Sequence, residues 1–343
     1  METNAQLPTV SVIIPARNEE ACLGDCLQSL VSQTGVSFEI IVVDDHSTDH
    51  TREIAASFSQ EQVRVIEAPP LPEGWTGKNN AVTDGARQAR GQWLLFTDAD
   101  TVHLPGSLAR ALAEAQDNGA ELLSYSPEQI AVTFWEMATL PAVFAELARQ
   151  YPPSIVSDPA SPIAAANGQF ILVRRDTYDA VGGHAAVAGD ILEDVALARA
   201  VKRSGRKIRF RYAPDAVGTR MYRNYQQLRD GWTKNLALLF PRPGWLALKV
   251  LVLWALFWIV LVLVNRSSAT RWWNGIDFGI FVWLVLRLQR GNFTNDRNFL
   301  GAIFGMPMFA YLLLRSKRAH ANGSIPWKGR TYEDKPAILA TDN

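Results

Sequence analysis

Residues 38–60 read FEIIVVDDHSTDHTREIAASFSQ, and this stretch decides the fold. A β-branched run, Ile40–Val43, ends in the carboxylate pair Asp44–Asp45. Ser47, Thr48 and Asp49 follow, with side-chain oxygens of the kind that cap helix N-termini, and TREIAASFSQ reads as the helix they start. A short buried strand feeding a helix is half of a βαβ unit, and the same unit recurs on both sides. Upstream, VSVIIP (10–15) runs through ARNEE into ACLGDCLQSLVSQ, an amphipathic helical stretch. Downstream, VRVIEAP (63–69) is followed by the polar loop LPEGWTGKNN and the helix AVTDGARQAR. QWLLFTDAD (92–100) precedes PGSLARALAEAQDNG, a helix with Pro at its start and Gly at its end. Such alternation implies a parallel α/β sheet, which holds its ligand beyond the carboxyl ends of the strands. That rule puts Pro15–Glu19, Asp44–Asp45, Lys78 and Asp98–Asp100 along one edge. Strand-end turns alone do not explain four polar clusters in that position.

The chain has 343 residues, room for one large domain or two modest ones, with 34 basic and 34 acidic side chains. Balanced charge removes the simplest argument for nucleic-acid binding, so no nucleic-acid partner is expected. Cys22 and Cys26 read as small apolar residues on one helix face. The five histidines (46, 50, 103, 184 and 320) make no metal-ligand spacing. METNAQLPTV lacks the apolar segment of a signal peptide, so the N-terminal part is expected in the cytoplasm. Beyond Phe240 come three apolar stretches. Leu246–Val264 is long enough to cross a bilayer, which takes roughly 20 residues. Trp272–Leu288 carries Asp277 and Arg287, and Phe299–Leu314 contains Pro307; for these two, a span and a buried or interfacial helix fit equally. Six tryptophans (245, 254, 258, 272, 273 and 283) cluster here, as at bilayer interfaces. Between Glu121 and Ala148 the apolar residues Ile130, Phe134, Trp135, Met137, Leu140, Val143, Phe144 and Leu147 make one helical face, suited to packing on the sheet or to lying in the membrane interface.

SVIIPARNEE, IIVVDDHSTDHT, FTDAD, NGQFILVRRDTYDAVGG and ILEDVALARAVKRSG occur in that order. Together they resemble the family-2 inverting glycosyltransferases, whose α/β fold is the Rossmann-like GT-A fold. The resemblance covers residues 8–240, followed by membrane-associated helices over 241–318 and a cytoplasmic tail over 319–343. GWTGKNNA and the terminal WKGRTY resemble the membrane-bound, lipid-glycosylating branch, which includes ceramide glucosyltransferase-like and hopanoid- or carotenoid-associated enzymes. The resemblance implies a nucleotide sugar donor, a lipid hydroxyl acceptor and a place on the cytoplasmic (inner) membrane with the catalytic domain in the cytoplasm. The contrasting reading is a non-enzymatic membrane protein that keeps the fold to bind a nucleotide sugar. A sugar-nucleotide pyrophosphorylase is disfavoured, because PARNEE lacks the glycine-rich phosphate loop.

The resemblance also assigns residues. Asp98 and Asp100 would hold Mg²⁺ or Mn²⁺, hard cations that take carboxylate and phosphate oxygens, and Asp98 would also face the donor. Pro15, Ala16, Arg17, Glu19, Asp44 and Asp45 match the nucleotide-binding segments. Asp45 is the choice for accepting the N3–H of uracil, with Asp44 structural or facing the ribose, so the donor is expected to be uridine-linked. Lys78 would lie near the phosphates. Asp194 matches the base that deprotonates the acceptor, and Glu193 would orient that base or the acceptor. Asn167, Gly168 and Gln169 match the acceptor side, or simply form the turn before FILVRR. The family's Gln-x-x-Arg-Trp departs here to QQLRD, with Asp230 where Trp is expected. Acceptor-side roles for Arg229 and Trp232 therefore rest on spacing alone. Pro326–Tyr332 is expected to return to the cytoplasmic face beside the catalytic domain, or else to form a disordered basic tail.

Overall fold

β-branched and leucine-rich segments that are fully buried form the centre of the sheet. Val12, Ile13 and Ile14 on one strand, Ile40–Val43 on the next and Leu94–Leu95 on a third are each at most 1 % exposed. Each such side chain contributes roughly 1.5–3 kcal/mol by burial. The structure, a computed structural model, describes residues 7–60, 62–265, 271–323, 325–327 and 330–332.

Along the chain the elements begin with β1 (Val10–Ala16), α1 (Leu23–Val31), β2 (Phe38–Asp44), α2 (Thr51–Ser57), β3 (Val63–Glu67) and α3 (Gly77–Gln88). β4 (Trp93–Phe96), β5 (Thr101–His103), α4 (Ser107–Asp117), β6 (Leu122–Ser126), β7 (Glu128–Gln129), α5 (Phe134–Gln150) and α6 (Pro153–Ser157) follow. Then come β8 (Ile171–Arg174), α7 (Arg175–Ala180), α8 (Glu193–Arg203), β9 (Ile208–Tyr212) and β10 (Val217–Thr219). The remainder is helical until its end: α9 (Tyr225–Leu239), α10 (Pro243–Asn265), α11 (Arg271–Leu288), α12 (Asn295–Leu300) and α13 (Met306–Ala321), then β11 (Ile325–Trp327) and β12 (Arg330–Tyr332).

Contacts divide the chain into two units. The first contains the residues up to Ile130 together with Pro153–Met221. Its seven-stranded sheet has the order β3-β2-β1-β4-β8-β6-β9. β3, β2, β1 and β4 are parallel, as the βαβ reading requires, whereas β8 runs antiparallel to both β4 and β6. β5, β10 and β7 form a small second sheet. The start of α2 matches the sequence reading, and that of α3 differs. Helix α2 begins at Thr51, where Asp49 alone accepts the Thr51 amide at 3.0 Å, while the Asp44 carboxylate takes the Ser47 amide at 3.2 Å. Helix α3 begins at Gly77, because Thr76 caps it by accepting the Asn79 amide at 3.2 Å. Lys78 therefore stands on a helical first turn and not in a loop. Gly85 lets α3 lie close on the sheet, since a Cβ there would sit 2.6 Å from Ile13 Cγ2.

The second unit contains residues 131–152 and the chain from Tyr222 onward. It takes in α5 and α9, which the sequence reading counted with the catalytic region. Helix α5, capped by Thr133 and Glu136 in a reciprocal box, packs on the C-terminal helices, with Leu140, Val143 and Phe144 buried and Phe134 and Trp135 exposed. Ile130 precedes this helix instead of sharing its face. α12 and α13 join through a π-helical turn, Gly301–Gly305. A Cβ on Gly301 would stand 3.1 Å from that of Pro141, and one on Gly305 would fall on the Ala138 carbonyl oxygen. Small residues here permit the close helix crossing typical of apolar bundles.

Two stretches, Pro243–Val260 and Asp296–Ala321, are long and apolar enough to cross a membrane; 50 % of the second is buried in the protein. α10 instead presents Trp245, Leu248, Val252, Leu256, Ile259 and Val262, an exposed apolar stripe. β11 and β12 pair antiparallel, and β11 packs on α9. Lys328 and Gly329 of the tail lie outside the described residues, as do the side chains of Trp272, Trp273 and Asp277.

Candidate active site

The carboxyl ends of β1, β2 and β4, the first turn of α3 and the first turn of α8 supply the polar groups of the first unit's site. Lys78 is the link between them. Its Nζ lies 2.7 Å from Asp98 Oδ1 and 2.8 Å from Glu193 Oε1. Burial alone would depress the Lys78 pKa, but attraction to these two carboxylates overrides it and raises the pKa well above the usual lysine value. Lys78 is therefore a fixed cation joining the cluster after β4 to the one that opens α8.

Asp194 stands one residue on. Its Oδ2 accepts the Gly168 amide at 2.9 Å and its Oδ1 the Val195 amide at 2.8 Å. Burial, and then repulsion from Glu193, push its pKa up to about 6, with Lys78 and the two amides opposing. A carboxylate tuned toward neutrality in this way suits proton abstraction near physiological pH. Gly168 is the wall between the groups: a Cβ there would lie 3.0 Å from Lys78 Nζ, 3.5 Å from Glu193 Oε1 and 3.6 Å from Asp194 Oδ2.

The neighbouring turn residues have a different use. Asn167 Oδ1 accepts the Gln169 amide at 3.0 Å, and the Asn167 amide donates to Ser124 Oγ at 2.8 Å. The Gln169 side chain is buried and points inward, its Nε2 donating to Thr219 Oγ1 at 3.2 Å. Thr219 in turn donates to the Asp100 carbonyl at 3.1 Å, Thr101 Oγ1 donates to the Asp98 carbonyl at 2.7 Å, and Thr97 Oγ1 donates to the Gln169 carbonyl at 2.8 Å. His103 closes this buried network, its Nε2 3.2 Å from Thr97 Oγ1, and burial pushes its pKa down to about 3, so the ring is neutral. The Asp98–Asp100 turn is thus held through its backbone carbonyls, while the Asp98 carboxylate pairs with Lys78.

At the ends of β1 and β2 two loops are stitched together. Arg17 Nη1 donates to the Asp45 carbonyl at 2.6 Å, Thr48 N donates to Asn18 Oδ1 at 2.9 Å, and Glu19 N donates to Thr51 Oγ1 at 2.7 Å. Asp44 and Asp45 are 3 % and 4 % exposed, so their exit from the sheet is preset. Asn18 and His46 both adopt positive φ, 53° and 54°, which turns each loop sharply as it leaves its strand. Pro15 borders the cavity shared by Lys78, Asp98, Gly168 and Glu193, and Ala16 is buried behind it. Arg229 and Trp232 belong to the other unit. There Arg229 Nε pairs with Asp230 at 2.8 Å, and Trp232 is buried against Phe144 and Tyr222.

Among the described residues no group of three or more His, Cys, Asp or Glu side chains is placed to hold a metal. Asp98 and Asp100 supply two carboxylates, a set that suits Mg²⁺ or Mn²⁺ when phosphate and water complete the shell, and not a closed protein cage.

Sequence reasoning missed Asn79, whose buried Nδ2 lies 2.9, 3.0 and 3.1 Å from the carbonyls of Val187, Ala188 and Asp190. It also missed His184, which lines the same cavity as Lys78 and Glu193. The doubled asparagine of TGKNN was a signal for the first. Metal-ligand spacing, the test applied to histidines, was blind to the second.

The family described as Glycosyl transferase family 2 matches residues 11–182. A curated relative, 4,4'-diaponeurosporenoate glycosyltransferase of Staphylococcus aureus, is 29 % identical over 94 % of this chain and 88 % of its own length. A solved mannosyltransferase of Pyrobaculum calidifontis, in complex with GDP-Man and Mn²⁺, superposes with a TM-score of 0.53 at 14 % identity, covering 92 % of this chain and 87 % of that one. The chain belongs to glycosyl transferase family 2, has the GT-A fold and is a glycosyltransferase.

Proposed function

We propose that this enzyme moves a sugar, with inversion, from a uridine-linked nucleotide sugar to the hydroxyl of a membrane lipid. One observation carries the reading: Lys78 bridges Asp98 on the donor side and Glu193 on the acceptor side, with the base-like Asp194 adjacent. In this reading Asp45 takes the uracil N3–H, Pro15–Glu19 and Asp44 frame the nucleoside, and Lys78 turns its charge to the diphosphate. Asp194 removes the acceptor proton as the oxygen attacks the anomeric carbon opposite the departing diphosphate. Glu193 keeps Lys78 in place. Asp98 and Asp100 would hold a divalent cation, which neutralises charge on the leaving diphosphate when bound. The solved mannosyltransferase contains Mn²⁺, in support of that assignment.

Membrane association is part of the proposal. The exposed apolar stripe of α10 favours lipid contact over a protein core. With α10 and the Asp296–Ala321 stretch as two spans, Arg315, Lys317 and Arg318 return to the cytoplasmic side, in line with the positive-inside rule, and the tail goes with them. The test is to incubate purified full-length protein with a panel of nucleotide sugars and extracted host lipids, followed by mass spectrometry of the lipid fraction. A hexose-sized mass gain on a lipid supports the reading, and donor hydrolysis with no lipid product overturns it.

A second acceptor class has its own support. The Staphylococcus relative is named for a carboxylate, diaponeurosporenoate. A carboxylate acceptor arrives already ionised and needs no base. Its product is a glycosyl ester that mild alkali cleaves, whereas the glycoside from a hydroxyl survives, so alkali treatment of the labelled lipid separates the two.

A further inference from the structure

The motif YDAVGGH (178–184) was not absorbed by the roles above, yet its histidine reaches the site. Gly182 and Gly183 both adopt positive φ, 78° and 54°. A Cβ on Gly183 would lie 2.5 Å from the Tyr178 ring, so only glycine lets the ring in. This fold-back sets Tyr178 Oη 3.0 Å from the His184 backbone nitrogen and 3.0 Å from His184 Nδ1. The amide donates to the phenol oxygen, and the phenol has one proton of its own to give. Nδ1 is the acceptor within reach of that proton, and with the bond in this direction the ring's own proton sits on Nε2. The edge-on packing of Phe96, with centroids 4.6 Å apart, fixes the ring plane. The ring then walls the cavity it shares with Pro15, Lys78, Asp98, Gly168 and Glu193.

We propose that His184 is a sugar-recognition residue, a neutral imidazole locked by Tyr178 so that Nε2–H donates to a hydroxyl of the transferred sugar. The proposal rests on the glycosyl-transfer reading of this site. The cavity already has a cation in Lys78 and anions in Asp98 and Glu193. With Lys78 already supplying the charge that suits a diphosphate, an uncharged N–H donor suits a hydroxyl group. Burial pushes the His184 pKa down to about 4, so the ring stays neutral through the physiological range. Sequence reasoning passes over such a residue because its tautomer is set by a tyrosine six positions earlier and by two glycines.

The test uses full-length protein in detergent, labelled with ¹⁵N-histidine. His184 should show the Nε2–H tautomer between about pH 6 and 8, and Tyr178→Phe should lose that preference. UDP-glucose, UDP-N-acetylglucosamine and GDP-mannose are added in turn, against UDP and GDP as controls. The expected result is that at least one sugar-bearing donor moves the His184 resonance and the bare diphosphates do not. With whichever of these donors the wild type uses, His184→Phe should lower kcat/KM by roughly 5- to 100-fold, the worth of a buried hydrogen bond. One monodeoxy analogue of that donor should erase the difference, and His184→Gln should recover part of it. An equal loss with every analogue, or no loss, would overturn the proposal. If the wild type makes no glycolipid yet a sugar-bearing donor alone moves the resonance, the transfer reading fails and this inference stands. A resonance moved by the bare diphosphates, or by no donor, sinks it.

Discussion

Replacing Asp194 with Asn removes the proposed base with almost no change of shape. In the structure both carboxylate oxygens accept backbone amides, from Val195 and Gly168. An Asn side chain can accept only one of them, and losing the other costs about 1–3 kcal/mol. A second change opposes this. A carboxyl whose folded pKa is raised from 3.8 to about 6 loses folding stability as the pH rises through that window, at most about 3 kcal/mol above it. Asn carries no such cost. The two effects offset, so the melting temperature at pH 7.5 should change little, while kcat should fall by roughly 10²–10⁴-fold, or about 3–5 kcal/mol of transition-state stabilisation. The wild type should show an acid limb in kcat/KM near pH 6, with about tenfold loss at pH 5 because about a tenth of the base remains ionised. Turnover of radiolabelled donor into lipid, measured in detergent from about pH 5 to 8.5, tests both features. Wild-type turnover in Asp194→Asn, or a wild-type profile with no limb near 6, would refute the base assignment. Unaltered turnover with an alkali-labile product would point instead to a carboxylate acceptor.

Lys78→Met should move the acid limb to higher pH, because the Lys78 charge opposes the upward shift of Asp194; a pH–rate series checks the direction. Asp100→Ala should abolish transfer while leaving the melting curve in place, since the loss is of a proposed metal ligand at a strand end; near-normal turnover in a chelator would count against the cation. Gly168→Ala should place a methyl 3.0 Å from Lys78 Nζ and cut turnover at unchanged melting temperature, as read by steady-state kinetics and scanning fluorimetry. Gly305→Ala should collide with the Ala138 carbonyl and destabilise the helical unit by about 1–3 kcal/mol, visible as a lowered melting midpoint.

The strand–helix alternation was legible because each strand is a buried apolar run that ends in polar residues, as in IIVVDD and LLFTDAD. The antiparallel β8 was not, since FILVRR carries no mark of direction. The site clusters were legible from their places at strand ends. What joins them was not: Lys78 pairs with both Asp98 and Glu193, the second more than a hundred residues on, and no spacing rule reaches that far. Gln169 shows the same gap from the other side. Its motif pointed either to the acceptor side or to a turn before β8, and neither reading foresaw that its side chain holds the turn of Asp98–Asp100 through Thr219. The grouping of α5 with the C-terminal helices likewise depends on Ala138, Pro141, Gly301 and Gly305 meeting across the chain.

The central claim is direct displacement at the anomeric carbon, with Asp194 serving the acceptor, Glu193 holding Lys78 and neither carboxylate bonding to the sugar. The anomeric configuration of the product tests it most directly. A donor ¹³C-labelled at the anomeric carbon, turned over once by the full-length enzyme, gives a lipid product whose one-bond carbon–hydrogen coupling reports that configuration. An α-linked donor should give a β-linked lipid; an α-linked product, or a labelled sugar trapped on Asp194 or Glu193, would contradict the account.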